Sequence, residues 1–151
     1  MISTSSIPAA LLLLKDWQAV AAIDIRNSPL LTPEFATEFR HAVGNDGSRY
    51  SFPFYLLVSQ EHGYLWDKAT LGQPDAPPTI DLPMATILKN YSRADDPDRR
   101  LSSEAMFWRI FRWLLDLTLE RRESLKDVAP SATLTAFLRA VEGGIVQPGE
   151  A

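Results

Sequence analysis

The chain has 151 residues, of which 46% are hydrophobic and 23% charged, and a net charge of −4. One domain with a real core is the expectation at this length and composition. The absence of cysteine excludes disulfides, thiol nucleophiles, iron–sulfur clusters and cysteine-held zinc.

Taken in chain order, Ser5 or Ser6 can cap a first helix with Pro8 in its first turn. The apolar run from Ala9 to Ile25 keeps a helical stripe through Leu11, Leu14, Ala21 and Ile25, and it stops at Asn27-Ser28-Pro29. No basic residue precedes its opening stretch, which ends at Leu14, and Lys15-Asp16 follow directly, so it reads as a core helix and not as a signal peptide. Thr32-Pro33-Glu34 is a cap, a first-turn proline and an acid, which starts a second helix carrying Phe35 and Phe39 toward the core. Gly44-Asn45-Asp46-Gly47 ends it. Residues 50–66 admit two readings. Pro53 can open a helix, or the run can form a hairpin with a turn at Gln60–Gly63. The helix is preferred because no further strand is evident to pair with a hairpin. A Pro-rich loop follows over 67–80. Asp81 and Pro83 then start a helix with Met84, Ile87, Leu88 and Tyr91 on one face.

The stretch that organises the rest is Met106–Leu119, MFWRIFRWLLDLTL. Read as a helix over about 103–124, it is apolar around most of its circumference, so other elements must cover it. Ser102 or Ser103 is the expected N-cap, with Glu104 in the first turn where negative charge is favoured. Arg109, Arg112, Asp116, Glu120 and Glu123 fall within roughly 80° of one another at ~100° per residue. The three charges among Met106–Leu119 exclude a membrane span, which needs about 20 apolar residues. A last helix opens at Ser131 or Thr133 with Leu134, Phe137, Leu138 and Val141 on its face. Gly143-Gly144 closes it, and 145–151 reads as a flexible tail. The fold class expected is therefore all-α: a single domain over 1–151, five or six helices packed around the central one. The alternative is α+β with a short hairpin at 50–66.

Candidate chemistry is sparse. Glu38-x-x-His41 has the spacing of a carboxylate–histidine metal pair, yet the partner pair such sites need is missing, and its stripe points away from Phe35 and Phe39. Glu61-His62 are neighbours that do not face each other on a helix. Asp95-Asp96-Pro97-Asp98 lacks the central glycine and distal glutamate of a calcium loop. No phosphate-binding, nucleophile-elbow or zinc-protease motif is present. Residues 89–126 carry nine basic and seven acidic side chains, too balanced for a nucleic-acid surface.

The function expected is a non-enzymatic protein–protein interaction module: an adaptor, an accessory subunit or an inhibitor. Its partner is another protein or a second copy in a homodimer, without membrane, nucleic acid, metal or cofactor, and its setting is the cytoplasm. The binding residues expected are Trp108, Arg109, Arg112 and Trp113, because tryptophan and arginine are enriched at binding hot spots. The alternative is a binder of a small apolar or aromatic ligand between helices. A third reading is an enzyme using His41 or His62 as acid or base.

Overall fold

The structure, a computed structural model, describes residues 11–43, 52–68, 73, 75–92 and 100–148. It overturns the all-α expectation. The chain folds as α+β, and the described residues form a six-stranded mixed sheet and four helices. The strands are β1 (Leu11–Lys15), β2 (Gln18–Ile25), β3 (Phe54–Val58), β4 (His62–Asp67), β5 (Ile80–Pro83) and β6 (Ile145–Pro148). The helices are α1 (Pro33–Val43), α2 (Met84–Leu88), α3 (Ser103–Thr118) and α4 (Ala132–Val141).

The expected first helix is instead the β1–β2 hairpin. Lys15 pairs with Gln18, and the two residues between them, Asp16 and Trp17, both have positive φ (53° and 66°). That is the turn whose twist suits a two-residue hairpin. A continuous apolar run fits a strand buried on both faces as well as it fits a buried helix, because periodicity cannot separate the two. The 50–66 run is also a hairpin, β3 against β4, with Phe54 opposite Asp67 and Val58 opposite Gly63. Its pairing partners are β2 on one side and β5 on the other, which is why a two-stranded ribbon never has to stand alone. Ile145–Pro148, expected as tail, pairs with β1.

The sheet order is β5-β4-β3-β2-β1-β6. β2 and β3 run parallel, joined by α1, and the other pairings are antiparallel. Side chains alternate between the two faces. Leu11, Leu13, Ile23, Leu56, Val58 and Leu65 form the larger core with α2, α3 and α4. Ala22, Tyr55, Leu57, Tyr64 and Trp66 form the smaller core, where Phe35, Ala36 and Phe39 of α1 cover them. Gly63 lets α2 close on the sheet, since a Cβ there would lie 2.9 Å from Met84 Sδ. Both edge strands are four residues long and end in proline, Pro83 and Pro148. Short, proline-bearing edges resist pairing with another chain.

The expected helices over α1, α3 and α4 are present, with their caps. Thr32 Oγ1 accepts from Phe35 N–H at 3.1 Å, Ser102 Oγ from Ala105 N–H at 3.1 Å and Ser131 Oγ from Leu134 N–H at 3.1 Å. α3 stops at Thr118, earlier than the expected 124. Glu120 takes φ 60°, Arg121 N–H donates to Asp116 O at 2.8 Å and Glu120 N–H to Leu117 O at 3.2 Å. This is a Schellman stop with glutamate in the place glycine usually fills. The expected turn at 44–47 and the acidic run 95–98 lie outside the described residues.

Two stability outcomes follow. Trp17 is 86% exposed, so its positive φ is not offset by burial. Trp17→Gly should raise stability by about 1 kcal/mol, read as a shift of the urea midpoint at unchanged slope. Gly144→Ala should lower stability by about 1–3 kcal/mol, because the added Cβ would sit 2.4 Å from the Leu14 carbonyl oxygen. The same urea experiment checks it.

Candidate functional site

The four residues singled out from the sequence separate in space. Trp113 is fully buried in the larger core, and its indole N–H has no acceptor among the described residues. Arg109 is 9% exposed and lines a cleft of about 180 Å³ with Gln60, Glu61, Lys89 and Leu101. Trp108 is 53% exposed. Arg112 is exposed, its guanidinium 5.9 Å from the Tyr91 ring centre. Trp108 and Arg112 share the outer face of α3, and the other two turn inward.

That outer face holds more apolar surface than the two tryptophans suggested. At ~100° per residue, Glu104, Trp108, Phe111, Arg112, Leu115 and Leu119 fall on one side, opposite Met106, Ile110, Trp113 and Leu117. Leu115 is 39% and Leu119 53% exposed. Trp108 meets Phe111 edge-on at 5.6 Å and Phe107 at 5.2 Å. Such contacts fix ring positions, so the outer face is pre-shaped rather than loose. Polar groups flank it. Tyr91 donates to Asp116 Oδ2 at 2.6 Å, and burial together with this bond raises the Tyr91 pKa. Arg121 lies 3.8 Å from the other Asp116 oxygen. The apolar positions 108, 111, 115 and 119 have helical spacing, a signal visible in the sequence but there absorbed into the expected core.

Three polar clusters lie elsewhere. Beneath α1, Tyr55 donates to Asp24 Oδ2 at 2.6 Å. Arg40, fully buried, lies over the Trp66 ring at 5.7 Å. Arg40 Nη1 and Trp66 Nε1 both donate to the Ala76 carbonyl, at 3.2 and 3.0 Å. These bonds make burial of a charge and a carboxylate tolerable. At the edge, His62 Nδ1 lies 3.0 and 3.1 Å from the two Asp81 oxygens, and its ring stacks on Tyr64 at 5.3 Å. Burial, with Asp81 and Glu34 nearby, pushes the Tyr64 phenol up to about 12. At the carboxyl ends of β2 and β3, Arg100 donates to Asn27 Oδ1 at 2.7 Å and pairs with Glu61. Asn27 Nδ2 donates to Leu101 O at 2.8 Å, and Leu101 N–H to Gln60 Oε1 at 2.8 Å. This lattice pins the start of α3 to the sheet.

The Asp81 contact orients the His62 imidazole as carboxylates orient catalytic or metal-bound histidines. A pocket is also required. Besides the Arg109 cleft, a groove of about 460 Å³ runs between β5 and residues 127–131, and one of about 200 Å³ adjoins Tyr91, Asp116 and Ser124. His62 is in the wall of none of these three. His41 belongs to α1, with its side chain outside the described set. Among the described residues no three His, Asp or Glu side chains gather as for a metal ion, and no helix is long and apolar enough to cross a membrane. Compared with protein-family models, curated protein sequences and solved structures, the chain matches none of them.

The raised Tyr64 pKa has a checkable sign. The folded state favours the neutral phenol, so this contribution to stability is full below pH ~10 and is lost as pH rises through about 12. In an absorbance titration of tyrosinate, the difference between the parent and Tyr64→Phe should be centred near 12 and not near the ordinary 10.

Proposed function

We propose that this chain is a non-enzymatic protein–protein interaction module that docks through the outer face of α3. The observation that carries the reading is Trp108, Leu115 and Leu119 standing outward, with Phe111 half-buried between them, on a helix whose opposite face already fills the core. An apolar stripe of this kind adds nothing to the fold while it faces water, and stripes rimmed by charge mark interaction sites. Trp108 and Arg112 are of the types that anchor interfaces. Arg109 and Trp113 support the face from beneath. The partner class is a chain presenting its own apolar helical face. A cysteine-free sequence suits a reducing compartment, and the cytoplasm is the setting we propose.

A second reading, a small apolar ligand, draws support from the groove walled by Ile80, Leu82, Val128, Pro130 and Leu134. A bound small mass in the native mass spectrum of the purified protein would favour it over docking.

Site-specific photocrosslinking tests the main reading. A photoreactive residue at position 115 should give a discrete protein adduct in cells, and Trp108→Ala should weaken it several-fold. The same residue at the exposed Ala136 position of α4 should give none. Equal labelling at the two positions, or indifference to Trp108→Ala, would overturn the reading. Trp108 is 53% exposed, so Trp108→Ala should leave the far-ultraviolet spectrum unchanged.

A further inference from the structure

Buried polar groups in a folded chain almost always have a hydrogen-bond partner, and an exception calls for a physical reason. Ser124 is such an exception. It is only 6% exposed, and its hydroxyl has no hydrogen-bond partner among the described residues. It lies in the short helical turn Glu123–Leu125 and walls a pocket of about 200 Å³ with Asn90, Tyr91, Asp116, Arg121 and Glu123. Burial and the Asp116 bond raise the Tyr91 pKa, while the Ser124 hydroxyl partly lowers it, which sets that hydroxyl on the Tyr91 side of the pocket. We propose that this pocket binds a small organic ammonium ion, a primary amine whose N–H groups reach Asp116, Ser124 and Asn90.

The pocket offers acceptors, and its uncharged amide and phenol donors are engaged. Tyr91 gives its hydroxyl proton to Asp116 Oδ2 at 2.6 Å, and the Asn90 amide nitrogen donates to Ile87 O at 3.0 Å. What is left over is oxygen. Asp116 Oδ1 has Arg121 at 3.8 Å, beyond hydrogen-bond reach. The Asn90 amide oxygen and the Ser124 hydroxyl can also accept. Asp116 stands in the last turn of α3, where the helix dipole favours a cation. An anion would meet the Asp116 and Glu123 carboxylates on entry. Arg121, its side chain 70% exposed, can turn out to water as an ammonium takes its place.

An unpartnered hydroxyl costs the free fold its desolvation, and only a ligand that supplies a partner offsets it. Alanine at the same position would avoid that cost, so serine here favours the bound state. A primary ammonium carries three donors. Asn90, Asp116 and Ser124 each present an oxygen, from the segment after α2, from α3 and from the turn that follows it. A quaternary ammonium has the charge without the donors, and an alcohol has a donor without the charge. The proposal stands apart from the docking reading of α3.

Titration of the isotope-labelled full chain with n-butylammonium at neutral pH, followed by amide NMR, should give saturable shifts at Tyr91, Asp116 and Ser124. The expected Kd is on the order of 1 mM. n-Butanol, tetramethylammonium and butyrate should each bind about tenfold more weakly or less. Ser124→Ala should weaken butylammonium binding several-fold and leave the urea midpoint unchanged or higher. Arg121→Gln, at an exposed position, should strengthen binding several-fold, because it removes the competing cation. Shifts that never saturate overturn the proposal, as does binding of n-butanol or butyrate as tight as that of butylammonium. Unchanged affinity in Ser124→Ala, or a lowered urea midpoint in that variant, makes the hydroxyl a structural group and also overturns it.

Discussion

β2 and β3 lie side by side in the middle of the sheet and run in the same direction, from Ala21 opposite Phe54 to Ile25 opposite Val58. A parallel pair cannot be joined by a tight turn. The chain must leave the sheet, cross one face and return. α1 makes that crossing, and in doing so it claims one face of the sheet and leaves the other to α2, α3 and α4. Two cores of unequal size result. The smaller one, under a single helix, buries a carboxylate and a guanidinium: Asp24 beneath Tyr55, and Arg40 over Trp66. The larger one is almost wholly apolar and carries the bulk of the hydrophobic burial that stabilises the fold.

How much of this could be read from the residues alone depends on what each element offers. α1, α3 and α4 announce themselves through a hydroxyl cap ahead of a helical apolar stripe, and Thr32, Ser102 and Ser131 cap as expected. The sheet was hidden for a reason of geometry. Leu11–Leu14 and, apart from Asp24, Ala21–Ile25 are apolar on both faces because helices cover both sides, and strands of that kind show no alternation. The one residue pair that breaks the run, Asp16-Trp17, carries none of the glycine or asparagine that marks a hairpin turn. β6 was read as tail because four residues ending in proline have too little pattern to weigh.

The candidate site was half legible for the same kind of reason. Helical spacing sets Trp108 and Trp113 on different sides of α3, but it could not tell which side of a nearly all-apolar helix would be left in water. That choice is made by the sheet. Once β1 and β3 supply the inner surface, Trp113 goes in and Trp108 stays out. Arg109 is drawn beneath the face by its place over the Gln60–Glu61 turn, a contact between distant parts of the chain. The Tyr55–Asp24 and His62–Asp81 bonds likewise join residues 31 and 19 positions apart, which no local pattern encodes.

The prolines that close β5 and β6 also bear on what kind of object the protein can become. A sheet with open, pairable rims is a growing front: each added chain exposes another rim, and growth has no natural end. Here both rims are four residues long and stopped by Pro83 and Pro148. Pairing of a further strand onto either edge is thereby resisted. A sheet closed at both rims in this way does not act as a template for the next chain.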